Sequence, residues 1–159
     1  METVHFVKTK DVAEKIEALF SFEKQRLSEV LSGADIEHIG GTSVPGSISK
    51  GDLDINIRVR FEDFERAIEN LKKLYEINQP ENWSNGFASF KDDTRNLGIQ
   101  LTVIDSADDY FVAQRDYLRS HPEKVSELNL LKQKFEGKSM DEYRKEKEAF
   151  FEKLNSQLS

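Results

Sequence analysis

The chain has 159 residues, 37% of them hydrophobic and 33% charged, with a formal net charge of −7. That length suits one domain with one core, and the negative balance disfavours a general affinity for DNA or RNA backbone. It contains no cysteine, which excludes disulfides and cysteine-ligated zinc and fits a reducing compartment. No run approaches the roughly 18 apolar residues of a membrane span, and the N-terminus shows no apolar leader, so a cytoplasmic protein without membrane contact is expected.

Val12, Ile16, Leu19, Phe20, Leu27, Val30 and Leu31 recur at helical spacing. They predict an amphipathic helix over 11–32, stopped by Gly33. A short strand over 36–39 runs into Gly40-Gly41. Pro45 and Gly46 are expected to end that turn and start a short helical segment whose N-terminus favours an anion. A strand rich in β-branched residues follows over 53–59. Phe61, Phe64, Ala67, Ile68, Leu71 and Leu74 define a second amphipathic helix, broken at Asn78-Gln79-Pro80 because proline cannot continue it. An irregular stretch over about 77–86 precedes two strands, 87–90 and 97–104, joined by a polar turn over 92–96.

The last third reads as helical. One helix is expected over 107–120. Pro122 opens the next, with Val125, Leu128, Leu131 and Phe135 on one face and Gly137 at its end. Ser139 and Glu142 form a capping box for a final helix carrying Tyr143, Phe150, Phe151 and Leu154. This order predicts an α+β fold: a small mixed β-sheet with helices packed on one face and a helical C-terminal extension. One unit over 1–159 is expected, with a sheet core over about 11–105 and a helical part over about 106–158.

Asp52 and Asp54 are the strongest chemical feature. Two apart on a strand, they point to one face with Cα atoms roughly 6.5 Å apart. Asn56 shares that face, while Leu53, Ile55 and Ile57 share the other. Carboxylates so placed repel unless a cation lies between them, and the pair suits Mg²⁺ or Mn²⁺, which share hard oxygen ligands with substrate phosphates. Upstream, Gly40, Gly41, Thr42 and Ser43 offer backbone N–H groups and either hydroxyl to a phosphate. Lys50 reads as a solvated turn residue or as a neutraliser of phosphate charge. Arg58 and Arg60 extend the polar face of the strand toward a charged cleft. The plain alternatives are a solvated strand edge, an ordinary tight turn and surface arginines. His38 suits a structural hydrogen bond, and Trp83 a lid or a plug at the core edge.

Ile39-Gly40-Gly41, a spacer, and then Asp52-Leu53-Asp54-Ile55 resemble the signature of the polymerase-β-like nucleotidyltransferase superfamily. More narrowly, His38-Ile39-Gly40-Gly41-Thr42-Ser43-Val44-Pro45-Gly46 with Lys50 and Asp54 resembles the GrpB family. Arg115-Asp116-Tyr117-Leu118-Arg119-Ser120-His121-Pro122 is similar to that family's second landmark. The resemblance implies the same α+β architecture and a metal-dependent transfer of a nucleoside monophosphate from an NTP. It implies Asp52 and Asp54 as holders of Mg²⁺ and Gly41, Thr42 and Ser43 as holders of the outer phosphates; Arg115, on a helix facing an acidic cleft, suits a base or phosphate contact or else a packing or capping role. A small molecule or protein side chain is the expected acceptor, and long nucleic acid is not.

Two departures stand out. Many relatives carry proline and an apolar residue where this chain has Gly51 and Asp52. The downstream strand that often holds His-x-His is here 98–104, with neither His nor Asp, which leaves Gln100, Thr102 or Asp105 for a third ligand position. Rival expectations are a non-catalytic nucleotide-binding module and an accessory domain linked to coenzyme A metabolism. The chain has no P-loop, so it is not itself the kinase of that pathway.

Overall fold

The computed structural model describes residues 1–158. Strand β1 (Val7–Lys8) leads into helix α1 (Thr9–Val30), then β2 (Asp35–Ile39), a 3₁₀ turn over Gly41–Ser43, β3 (Ile48–Ser49) and β4 (Leu53–Val59). Helix α2 (Phe64–Lys72), β5 (Glu76–Ile77), β6 (Phe87–Asp92) and β7 (Leu97–Val103) follow. Helices α3 (Phe111–Ser120), α4 (Pro122–Lys134) and α5 (Met140–Leu158) close the chain.

The main sheet runs β2-β4-β7-β6-β5. β4 pairs antiparallel with β2 and parallel with β7, so the sheet is mixed, as expected. β4 owes its central place to its alternation. Leu53, Ile55 and Ile57 are fully buried against α1 and α2, meeting Ile16, Leu27, Phe64 and Leu71. Burying each such side chain stabilises the fold by about 1.5–3 kcal/mol. The opposite face carries Asp54, Asn56 and Arg58, in register with Gly98, Gln100 and Thr102 of β7.

Helices α3, α4 and α5 form a second core from Leu118, Val125, Leu128 and Leu154, which also takes in Val44 beyond the glycine turn. The N-terminal residues strap this group together. Val4 packs with Phe135, Met140 and Tyr143, and its backbone bonds to Lys138 and Gly137. Among the described residues, no helix is long and apolar enough to cross a membrane.

Several local expectations change. The residues after Pro45 are not helical, because Gly46 takes φ +82° and Ile48–Ser49 pairs with Val7–Lys8 as a two-stranded ribbon. The anion site expected from a helix N-terminus is therefore absent there. The helix expected over 107–120 starts only at Phe111. Asp105 sits at φ +64°, and the Asp109 carboxylate accepts from its N–H and from Arg58, which holds this segment as a turn. The irregular stretch begins at the end of β5, whose Glu76 and Ile77 pair with β6. Trp83 packs against Phe90 at the core edge and donates its indole N–H to Asn78 O.

Candidate functional site

A cleft of about 530 Å³ opens between the polar face of the sheet and the C-terminal helices. Gly40, Gly41, Lys50, Asp52, Asp54, Gln100 and Arg115 all line it. Asp54 lies at the floor, wedged between two glycines. A Cβ on Gly40 would stand 2.6 Å from Asp54 Oδ2, and one on Gly98 would stand 2.7 Å from Oδ1. Real Cβ atoms do not approach that closely, so any larger residue at either position would have to push the Asp54 carboxylate aside. Gly40 also holds φ +79°, a left-handed conformation that glycine adopts without strain.

Asp52 is the residue before β4, and its carbonyl is tied to the turn: Thr42 Oγ1 donates to Asp52 O at 3.0 Å. With its proton spent there, Thr42 Oγ1 accepts from His38 Nε2 at 2.9 Å. His38 pairs with Ile55 in the sheet, on the face opposite Asp54, and stacks at a tilt near Phe20. Burial first, then the charges of Arg119 and Arg115, pull its pKa down to about 4, so it is neutral at pH 7. Ser43 Oγ donates to Gly40 O. Thr42 and Ser43 are buried and do not line the cleft; their hydroxyls shape the turn. Gly40 and Gly41 present the turn's backbone to the cleft.

Burial, and next the neighbouring Asp52, raise the pKa of Asp54 to about 7. Lys147, Lys50 and Lys132 act in the opposite direction. Lys132 comes from α4, is only 4% exposed, and donates to Ile48 O at 2.6 Å. Burial, with Lys147 next, lowers its pKa to about 7, opposed by Asp52 and Asp54. Lys147, half-buried on α5, is also lowered by burial. Sequence reasoning missed both lysines, though a signal existed. Lys132 falls four residues after Leu128 and Lys147 four after Tyr143, each interrupting a buried stripe at helical spacing.

The second landmark has a structural account. Arg115 donates from Nη1 to Glu37 Oε2 and to His38 O, at 2.9 and 3.0 Å. One helical turn later, Arg119 donates from Nε to Ser43 O at 2.9 Å. Helix α3 thus clamps both ends of the strand–turn segment that carries the glycines. His121 stacks on Tyr117 with ring centroids 3.8 Å apart, and its Nδ1 donates to Tyr117 O.

Arg58 is not brought to the cleft. Its guanidinium is taken by Asp35 at 2.7 Å and by both oxygens of Asp109 at 2.8 Å. Arg60 lies beyond β4, exposed, against Glu62 and Asp63. Of the third-ligand positions, Asp105 is exposed and outside the cleft lining, and Thr102 is fully buried, accepting from Asn56 Nδ2. Gln100 lines the cleft, and its Oε1 is buried without a hydrogen-bond partner.

The donors suit one divalent cation. Ionised carboxylates are hard ligands, and Asp52, Asp54 and the unpartnered Gln100 oxygen lie in the same cleft. Among the described residues no group of three or more His, Cys, Asp or Glu gathers as a metal site. A single Mg²⁺ that completes its shell with phosphate oxygens matches that set.

This architecture is the nucleotidyltransferase fold. The Cid1 poly(U) polymerase with MgGTP bound aligns with a TM-score of 0.53 at 8% identity, over 79% of this chain and 42% of that one. The STING-associated CdnE c-di-GMP synthase of Capnocytophaga granulosa aligns with a TM-score of 0.51 at 9% identity, over 77% of this chain and 52% of that one. These likenesses concern the fold alone. The family is closer at hand: the profile described as GrpB protein matches residues 7–157, and the chain belongs to the GrpB family. GrpB from Enterococcus faecalis aligns with a TM-score of 0.74 at 25% identity, covering 90% of this chain and 92% of that one. A UPF0157 protein of Vibrio cholerae serotype O1 is 33% identical over 169 residues, covering 98% of this chain and 84% of that protein.

Proposed function

We propose that the cleft binds a nucleoside triphosphate together with one divalent cation and transfers the nucleotidyl group to a small-molecule or protein acceptor. The observation that carries this reading is the pair Asp52 and Asp54 on the cleft floor, beside the Gly40-Gly41 turn and ringed by lysines. Bound Mg²⁺ or Mn²⁺ would supply Lewis acidity to the phosphoryl oxygens and lower the pKa of an attacking hydroxyl. The chain's own residues do the rest. Asp52 and Asp54 hold the cation. The backbone at Gly40 and Gly41 lets the outer phosphates approach closely, while Lys50, Lys132 and Lys147 neutralise their charge. Tyr110, Phe111 and Phe151 line the same cleft and would offer aromatic faces to a base. In the transfer, the acceptor oxygen bonds to the α-phosphorus as the bond to the β-phosphate oxygen breaks. Pyrophosphate leaves and the hydroxyl proton passes to water.

The decisive experiment is nucleotide binding by thermal shift and calorimetry, with and without Mg²⁺, on the native protein and on Asp54→Asn. Mg²⁺-dependent stabilisation of the native protein, absent in the variant, is expected. Equal binding by both proteins overturns the reading. The count of two carboxylates favours a second reading, a nucleotide-binding module without turnover. Mg²⁺-dependent binding with no pyrophosphate released across a range of acceptors would select it.

A further inference from the structure

We infer that Lys132, with Lys147 beside it, takes the place of a second metal ion, so that the site uses one divalent cation per nucleotide. The inference rests on the nucleotide reading above and concerns how that site balances charge.

Two-metal displacement places ions about 3.5–4 Å apart and needs carboxylates to bridge them. On β7 the residue beside Asp54 is Gly98, and the next on that face is the neutral Gln100. A second divalent ion would therefore lack the anionic ligand that secures it. The opposite wall supplies fixed positive charge instead. Lys132 is enclosed by protein, which is costly for an ammonium unless it is compensated. Of its three donors, one goes to Ile48 O. Closing off one carbonyl of the two-residue strand β3 does not call for a charge, and a neutral donor would suffice. The ammonium is also well placed, because its Nζ is 3.4 Å from where a Cβ on Gly41 would lie, at the mouth of the phosphate turn.

Lys147 adds a second ammonium from a different helix. The two repel each other, and both are drawn by Asp52 and Asp54. Among the described residues no direct ion pair joins these lysines to those aspartates. Both ammoniums thus line the same cleft as the two carboxylates. A metal-bound triphosphate suits that charge pattern: its cation would meet the carboxylates and its surplus negative charge the ammoniums. The two lysines bring positive charge on two helices to the place where a second ion would otherwise be needed.

The test counts ions. Mn²⁺ bound per chain is measured by electron paramagnetic resonance with a non-hydrolysable NTP analogue, for the native protein and for Lys132→Met. One Mn²⁺ per nucleotide is expected for the native protein, with affinity for the metal–nucleotide complex falling about 10-fold or more in the variant. The double variant Gln100→Glu with Lys132→Met should recover affinity and bind two Mn²⁺. If Lys132→Met does not fold by circular dichroism, Lys147→Met, at a half-buried position, carries the same expectation. Two ions per nucleotide in the native protein, or native affinity in the lysine variant that folds, overturns the inference while leaving the nucleotide reading intact. No nucleotide binding by the native protein overturns both.

Discussion

At Asp54 the fold encloses a carboxylate between two glycines and beside a second carboxylate, an arrangement that costs stability unless a cation answers it. Removing the charge should therefore stabilise the ligand-free protein while abolishing Mg²⁺-dependent nucleotide binding. The sign follows from the raised pKa. Folded Asp54 holds its proton up to about pH 7 while an unfolded one releases it near 3.8, so native stability falls as pH rises between those values. Asp54→Asn should melt roughly 4 °C or more above the native protein at pH 8, with the gain vanishing toward pH 4. Comparing native and variant cancels His38, whose lowered pKa makes stability rise with pH over part of the same range. A lower melting temperature for the variant at pH 8 would contradict this picture. Gly98→Ala probes the same contact sterically. Its Cβ would displace Asp54 Oδ1, so a cost of about 1–3 kcal/mol in urea unfolding is expected, with weakened nucleotide binding. Asp54 was legible in the sequence because strand alternation is a local rule. The two lysines were not picked out, because a charge on an apolar stripe gains meaning only when another element faces it.

Among the elements, α3 matters more than its place in a C-terminal extension suggests. Arg115 and Arg119 lie one helical turn apart and grip Glu37, His38 and Ser43, so the helix sets the position of the glycine turn against the acidic strand. Arg119→Met should cost about 1–2 kcal/mol, the worth of a charge-assisted hydrogen bond, and speed amide exchange at residues 41–44. Arg115→Met should cost more, because Arg115 is more enclosed and leaves Glu37 without its partner. Equal exchange at the turn in the native protein and both variants would remove the bracing role. The landmark around Arg115 was recognisable in sequence, but its purpose lay in contacts between residues more than 70 positions apart. The same limit explains the ribbon after Pro45. Nothing local marks Ile48–Ser49 as a strand; Val7–Lys8, far upstream, makes it one. The long amphipathic helices and the alternating β4 were readable because their burial pattern repeats within one segment.

Across the whole molecule, charge is divided by depth. The net charge is −7, yet Lys132 and Lys147 are gathered inside the cleft, with the acids Glu148 and Glu152 exposed at its lining. A compact metal–nucleotide complex can pass the acidic side and reach the inner ammoniums. A polynucleotide would have to run along the outside, where counterion release from basic surface normally supplies the affinity and where this protein offers repulsion. The Cid1 poly(U) polymerase shares the fold, but a shared fold does not set the acceptor. A polyuridylate competitor should therefore fail to displace a fluorescent NTP analogue in about 0.1 M salt with Mg²⁺ present, measured by anisotropy. Raising the salt to about 0.5 M should weaken analogue binding by less than about 10-fold, since enclosed charges are screened far less than exposed ones. Micromolar polyuridylate binding, or a steep loss of analogue binding with salt, would place the working positive charge on the outer surface and return long nucleic acid to the possible acceptors.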